Sequence, residues 1–186
     1  MKSDEELMTA YVAGDEAAFA ELFGRYAPLL VRMMRRQIRI EDDAVELVQQ
    51  TFLQVHRARL DFEEGRRLRP WLMTIAFNLK REYFRRRKRR PEAPLEFEPP
   101  GSDPGRRHPV ERRADIQRIR AALETLPDGQ RDVIVMHWFD ELSFPEVAEI
   151  LGLTVSAVKV RAHRGYQALR KALEAMDAVT PNDRET

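Results

Sequence analysis

The segment that limits the fold most strongly runs from residue 91 to residue 109. It reads PEAPLEFEPPGSDPGRRHP and contains six prolines and two glycines. Proline has no amide hydrogen to donate, and a segment with so few apolar residues cannot bury enough surface to offset its ordering entropy. We therefore predict a flexible, proline-rich linker, acidic in its first half. It would join two small domains at residues 1–90 and 110–176, and residues 177–186 would form a disordered tail.

Both predicted domains show helical periodicity. Apolar residues recur at steps of three and four, and no segment alternates as a half-buried strand does, so the predicted fold class is all-α. In the first domain we expect a helix capped by Asp4, a helix capped by Asp15, a helix over residues 41–60 and a helix with Pro70 in its first turn. The core stripe of the third helix is predicted to be Val45, Val48, Phe52 and Val55.

The charge is distributed unevenly along the chain. The net charge is only +1, yet residues 57–90 carry 13 basic and four acidic side chains. A basic block of this kind usually binds a polyanion. Because the chain has no cysteine, disulfides, thiolate zinc sites and a cysteine nucleophile are excluded. We find no catalytic, cofactor or metal-binding motif and no apolar run that approaches the ~20 residues of a membrane span. We therefore expect a cytoplasmic protein that is not an enzyme and is not stably inserted in a membrane.

One stretch of the basic block combines an apolar helix with a run of arginines. Residues 71–90 read WLMTIAFNLKREYFRRRKRR. Taken alone, this stretch fits a membrane-surface helix, a localisation signal or one wall of a nucleic-acid groove. We expect the Trp71 side chain to pack in the core rather than to contact DNA.

The most specific pattern lies in the second domain. Ser143 and Glu146 have the spacing of a capping box, Gly152 suits a left-handed turn, and Thr154 can cap the helix that follows. That helix carries lysine and arginine, with no carboxylate from residue 155 to residue 171. The order of cap, glycine turn, second cap and basic helix predicts a helix-turn-helix whose second helix enters the major groove of DNA.

Both halves of the chain resemble one known family, the extracytoplasmic-function (ECF) sigma factors of bacterial RNA polymerase. The motif LETLPDGQRDVIVMHWFDELSFPEVAEILGLTVSAVKVRAHRGYQAL resembles sigma region 4. The motifs GDEAAFAELFGRYAPLL, DDAVELVQQTFLQVHR and RPWLMTIAFNLKREYFRRRKRR resemble sigma region 2. The resemblance implies a region 2 helical bundle over residues 1–90 and a region 4 helix-turn-helix over residues 110–176.

The resemblance also implies roles for particular side chains. In region 2 it implies binding to core polymerase through Asp43, Glu46, Gln49 and Gln50. Contacts to the melted −10 element are implied for Arg66, Arg67, Arg69, Phe77, Asn78, Arg81, Arg85 and Arg86. Contacts to the −35 duplex are implied for Ser156, Lys159, Arg161, His163 and Arg164. The sequence RGY at residues 164–166 departs from the RAR that is usual in the family.

The function implied by the resemblance is promoter recognition and DNA opening as a subunit of RNA polymerase. The implied partners are the β and β′ subunits of the core enzyme, promoter DNA and a separate anti-sigma factor, with no small-molecule substrate. The alternative is a free-standing helix-turn-helix regulator that acts without being a polymerase subunit. A protein that uses residues 71–90 on a membrane surface is a third interpretation, and it leaves the helix-turn-helix unexplained.

Overall fold

The computed structural model describes residues 1–38, 40–63, 65–88 and 109–179, and these residues divide into two compact units. They form α-helices joined by short turns and contain no β-strand, which confirms the predicted all-α class. The helices before residue 89 are α1 (Asp4–Val12), α2 (Glu16–Arg35), α3 (Glu41–Arg57) and α4 (Leu68–Lys88). Those that follow are α5 (Pro109–Glu124), α6 (Asp128–Ile134), α7 (Phe144–Leu151) and α8 (Val155–Val179).

The predicted linker lies outside the described residues except for Pro109, which begins α5. The predicted tail is only partly covered by them. Helix α8 continues to Val179 and therefore includes the first three residues assigned to the tail, whereas residues 180–186 lie outside the described part of the chain.

The first helix begins one residue earlier than the sequence suggested. Its N-cap is Ser3, whose hydroxyl accepts the Glu6 amide at 3.1 Å while the Glu6 carboxylate accepts the Ser3 amide at 2.6 Å. Asp4 is not the cap, because its carboxylate instead accepts hydrogen bonds from Arg25 at 2.5 Å and from the Tyr26 hydroxyl. The side chain of Asp4 thereby ties α1 to α2.

The core of the first unit lies where α2 packs against α1 and α3, and where α3 packs against α4. Phe52 of α3 meets Phe23 at a centroid separation of 4.6 Å and Phe19 edge-on at 6.1 Å. The predicted stripe of α3 is right at Val48, Phe52 and Val55, but Val45 is only half-buried. Its place in the core is taken by residues on the adjacent side of the helix, namely Ala44, Leu47 and Thr51.

The core of the second unit forms where α8 packs against α5 and α6. Helix α6 continues into a π-helical turn, Val135–Phe139, and four consecutive residues from Val133 to Met136 are buried. Gly165 of α8 allows the close approach of α6, since a Cβ atom there would lie 3.0 Å from Cδ1 of Ile134. The absence of a side chain at Gly165 therefore sets the separation of the two helices.

Candidate nucleic-acid interface

The predicted helix-turn-helix is confirmed in its local geometry. The Glu146 carboxylate accepts the Ser143 amide at 2.8 Å, and the Ser143 hydroxyl accepts the Glu146 amide at 3.4 Å. Gly152 has a φ of 64°, a left-handed conformation that favours glycine. The Thr154 hydroxyl then accepts the Ala157 amide at 3.2 Å and caps α8. These local contacts fix where α7 ends and where α8 begins.

Helix α8 presents a continuous exposed face in its first three turns. Val158 and Ala162 are buried on the opposite side, at 0% and 2% exposure. We call the exposed side the α8 face, and its members recur at steps of three and four residues: Ser156, Lys159, Val160, His163, Arg164 and Gln167. The α8 face has the polar and cationic character, and the helical spacing, of a surface that enters the major groove.

Four of the five predicted −35 contacts lie on the α8 face, and Arg161 does not. The Arg161 side chain is half-buried, and its Nη1 atom would lie 3.3 Å from a Cβ atom placed on Gly129 of α6. The guanidinium therefore packs against the first turn of α6. Arg161 follows Lys159 by two residues, so at about 100° per residue it lies about 200° around the helix from Lys159 and faces α6 instead of joining the α8 face.

Two aromatic side chains, Tyr166 and Trp138, pack against each other at the middle of α8. The Tyr166 ring meets the Trp138 ring edge-on at 5.8 Å, and Trp138 itself is 61% exposed. The Tyr166 hydroxyl is buried and has no hydrogen-bond partner in the described residues. Burial raises the pKa of Tyr166 to about 12. The tyrosine that departs from the family's RAR therefore packs its ring and hydroxyl rather than offering a charge.

Helix α4 carries six of the eight predicted −10 contacts, and they divide between its surface and its core. Asn78, Arg81 and Arg85 are exposed and spaced by three and four residues, so they share one side of the helix. Phe77 is 1% exposed and lies in the core. The prediction that Phe77 contacts DNA is therefore corrected: its ring has no free surface. Trp71 is 7% exposed and packs edge-on against Phe62 at 5.2 Å, as expected of a core residue.

The remaining predicted −10 contacts are arginines. Arg66 and Arg69 are half-buried and Arg67 is exposed, all just before or within the first turn of α4. At the other end of the helix, the Glu82 carboxylate pairs with Arg85 and, at 2.8 Å, with Arg86. Arg85 and Arg86 stay 65% and 77% exposed. They can exchange this surface ion pair for a phosphate at little cost, because exposed pairs contribute only about 0–1 kcal/mol.

Sequence reasoning missed Lys80 of α4. This lysine is 2% exposed, and its Nζ atom lies 3.9 Å from the centre of the Phe77 ring. The ammonium group therefore makes a cation–π contact with the buried Phe77 ring. A basic residue within an arginine-rich stretch gives no sequence signal that it is buried.

The predicted polymerase-docking residues lie on α3. Glu46, Gln49 and Gln50 are exposed, and the Gln50 amide donates to Glu46 at 2.8 Å. Asp43 is half-buried and faces α4, where its carboxylate accepts the Tyr83 hydroxyl at 2.7 Å and lies 3.8 Å from Nη1 of Arg87. Burial, together with the hydrogen bond to Asp43, raises the pKa of Tyr83. Asp43 thus joins two helices, and the other three side chains remain open to a partner.

Two negative findings apply to the part of the chain that the structure describes. None of its helices is long and apolar enough to cross a bilayer. No group of three or more histidine, aspartate or glutamate side chains within it is placed to hold a metal ion.

Comparison with known proteins identifies the class to which these two units correspond. The family model for sigma-70 region 2 matches residues 22–90, and the model for sigma-70 region 4 matches residues 116–169. RNA polymerase sigma factor CarQ of Myxococcus xanthus is 35% identical over 179 residues, which cover 91% of this chain and 97% of CarQ. ECF sigma factor SigM of Mycobacterium tuberculosis is 36% identical over 172 residues, which cover 92% of this chain and 85% of SigM.

A solved structure shows the same likeness. Sigma factor CnrH of Cupriavidus metallidurans is 31% identical over 182 residues, which cover 93% of this chain and 95% of CnrH. The structure of CnrH in complex with the cytosolic domain of CnrY matches with a TM-score of 0.70 and 30% identity, over 94% of this chain and 99% of that one. This chain belongs to the ECF sigma factors of RNA polymerase, the promoter-directing subunits used for transcription initiation.

Proposed function

We propose that this chain binds core RNA polymerase, places the α8 face on the −35 duplex and the exposed side of α4 on the −10 element, and helps to open the DNA. The observation that carries the proposal is the α8 face itself. Lysine, histidine and arginine project from a helix whose start is fixed by the Gly152 turn and the Thr154 cap. Such a helix offers side chains that bond to guanine edges and to phosphates.

On the −35 duplex, Lys159 and Arg164 are the base-reading candidates. Both are exposed, and they lie five residues apart on one side of α8. Ser156 and His163 lie between them around the helix, where Nε2 of His163 is 3.0 Å from the Gln167 amide nitrogen. Arg161 is assigned a packing role against α6 instead, because its guanidinium lies beside Gly129.

On the −10 element, Asn78, Arg81 and Arg85 form the proposed contact line, with Arg66, Arg67, Arg69 and Arg86 at the two ends of α4. Extruding a base from the duplex costs a few kcal/mol, which the protein must return through stacking, hydrogen bonds or charge. Asn78 supplies both a donor and an acceptor, and the arginines bind the backbone of the melted strand.

Docking on the core enzyme is assigned to the exposed polar side of α3, formed by Glu46, Gln49 and Gln50. Asp43 contributes indirectly by holding α3 against α4 through Tyr83.

Family membership supports a protein that acts by binding, without catalysis of its own, in the bacterial cytoplasm. Because the matching CnrH structure is a complex with the cytosolic domain of CnrY, we also propose control by a separate anti-sigma protein.

Run-off transcription with core polymerase, with and without this protein, tests the proposal. We expect initiation only when both are present, at promoters selected from a random library by the reconstituted holoenzyme. A free-standing regulator would instead bind duplex DNA tightly without polymerase. Failure to co-purify with the core enzyme, or to direct any initiation, would overturn the sigma-factor assignment.

The residue roles are tested by alanine substitutions in α8. Lys159→Ala and Arg164→Ala are each expected to weaken binding of the holoenzyme to the −35 duplex by about 1–3 kcal/mol, and by different amounts on different sequences. An equal loss on every sequence would demote that side chain to a phosphate contact. Arg161→Ala is the comparison variant, in which a loss of stability should exceed any loss of sequence preference.

A further inference from the structure

The α8 face contains one apolar side chain that neither the fold nor the proposed contacts account for. Val160 is 47% exposed, whereas Val158 and Ala162, two residues away on either side, are 0% and 2% exposed. Helical spacing places Val160 between Ser156, one turn before it, and Arg164, one turn after it. It therefore lies in the middle of the surface proposed to face DNA.

Local folding does not favour valine at this position. A β-branched residue loses side-chain freedom in a helix and has a lower helix propensity than alanine, lysine or arginine. With nearly half of its side chain exposed, Val160 also leaves apolar surface in water when no ligand is bound. A partner that covers these two methyl groups would remove that cost.

The major groove of DNA offers one apolar group to such a side chain, the C5-methyl of thymine. Most other base-edge groups there are hydrogen-bond donors or acceptors, which an apolar side chain would desolvate without a bond. The cationic neighbours Lys159 and Arg164 hold the helix against phosphates or guanines, so that Val160 meets the base edges between them.

We propose that Val160 is a specificity-determining residue that selects thymine in the −35 duplex by packing against its C5-methyl group. The proposal rests on the proposed function, in which the α8 face enters the major groove. The proposal adds a rule about the promoter sequence. The preferred −35 duplex contains a thymine located between the bases or phosphates that Lys159 and Arg164 contact. Removal of that methyl group alone should lower the affinity of the holoenzyme for the duplex.

Replacement of thymine by deoxyuridine tests the proposal, because it removes the methyl group and leaves every hydrogen-bonding group in place. Duplexes of a promoter selected by the holoenzyme are made with one thymine at a time replaced, and holoenzyme affinity is measured for wild type and for Val160→Ala. At one position we expect about a fourfold loss for wild type, the amount that corresponds to burial of one methyl group. Val160→Ala should bind the thymine and deoxyuridine duplexes equally at that position.

Val155→Ala is the matched control, since Val155 is also exposed, at 37%, but lies at the first residue of α8. It should keep the full response to deoxyuridine. Alanine favours the helix at both positions, so loss of folding is not expected, and circular dichroism checks this. Equal sensitivity of wild type and Val160→Ala at every thymine, a response that disappears only in Val155→Ala, or a selected −35 duplex without thymine would each overturn the proposal. The sigma-factor assignment is separate, because it fails if the protein does not co-purify with the core enzyme or directs no initiation at all.

Discussion

At the scale of single residues, several side chains are buried or exposed contrary to what their position in a motif suggests. Phe77 and Arg161 occupy positions that the family resemblance assigns to DNA contacts, but Phe77 lies in the core and Arg161 packs beside Gly129. Val160 shows the reverse case, an apolar side chain on the exposed side of a basic helix. Each difference arises because burial depends on neighbouring helices, which a motif does not record.

Tyr166 gives a prediction about a buried hydroxyl. Because this hydroxyl has no hydrogen-bond partner in the described residues, Tyr166→Phe removes a desolvated polar group without creating a cavity. We expect the free energy of unfolding of the second unit to rise by about 1 kcal/mol. Hydrogen exchange of the amides of α6 and α8 measures this as slower exchange. Faster exchange in the variant would show that the hydroxyl makes a stabilising bond.

The same residue predicts a pH dependence. Burial raises the pKa of Tyr166 to about 12, above the ordinary value of about 10 that applies in the unfolded chain. Ionisation of this phenol therefore leaves the free energy of unfolding unchanged below about pH 10 and lowers it as the pH rises towards 12, because the unfolded chain loses the proton more readily. Tyrosinate absorbance should show that Tyr166, identified by difference from Tyr166→Phe, titrates above pH 10 in the folded protein. Titration at the ordinary value would contradict its burial.

At the scale of helices, the sequence predicted the local caps of α7 and α8, misplaced the cap of α1 by one residue, and missed a contact between distant segments. Ser143 with Glu146 and Thr154 with Ala157 lie within one turn of each other, so their spacing was informative. The N-terminus of α4 has a partner from a distant segment: the Leu68 amide donates to Glu5 of α1 at 3.1 Å. No periodicity in either segment indicates this contact.

Glu5→Ala is therefore expected to weaken the start of α4. Leu68 is buried, and its amide loses an acceptor, so we expect a decrease of about 1 kcal/mol in the free energy of unfolding of the first unit. Urea unfolding followed by the fluorescence of Trp71, in a Trp138→Phe background, measures the change. Glu16→Ala, in the first turn of α2, is the control, since the Asp15 side chain caps that helix. Equal effects of the two substitutions would remove the specific role of Glu5.

The packing of α6 on α8 yields a second prediction at this scale. In Gly165→Ala the new Cβ atom would lie 3.0 Å from Cδ1 and 3.1 Å from Cγ1 of Ile134. Although alanine favours a helix, this overpacking is expected to destabilise the second unit by about 1–3 kcal/mol. Ile134→Val removes Cδ1 and should recover part of the loss in the double variant. A more stable Gly165→Ala protein would show that the two helices separate without cost.

At the scale of the whole molecule, charge is the property that decides the class of partner. The net charge of +1 conceals an uneven distribution, since residues 57–90 hold an excess of nine positive charges. The structure places several of these on the exposed side or the C-terminal turns of α4, including Arg81, Arg85 and Arg86. Binding to promoter DNA should therefore release counterions and weaken as salt rises.

The double variant Arg85→Gln, Arg86→Gln tests this contribution. If each arginine contacts a phosphate of the melted strand, the slope of log affinity against log salt should become shallower by about 0.7 per contact. Holoenzyme binding to a promoter at several salt concentrations measures the slope. Arg57→Gln, an exposed arginine near the end of α3, is the control and should leave it unchanged. An unaltered slope in the double variant would remove these two arginines from the DNA path.

The sequence by itself determined the all-α class, the helix-turn-helix with its caps and glycine turn, and the family, because periodicity, capping and motif order are properties of neighbouring residues. Only the tertiary structure decided the burial of particular side chains and the contacts between distant ones. In the folded chain Phe77 is buried in the core and Val160 is exposed among polar side chains. Hydrogen bonds join Tyr83 to Asp43 and Leu68 to Glu5. The physical reason is that burial and long-range hydrogen bonds depend on residues that meet only after the helices pack.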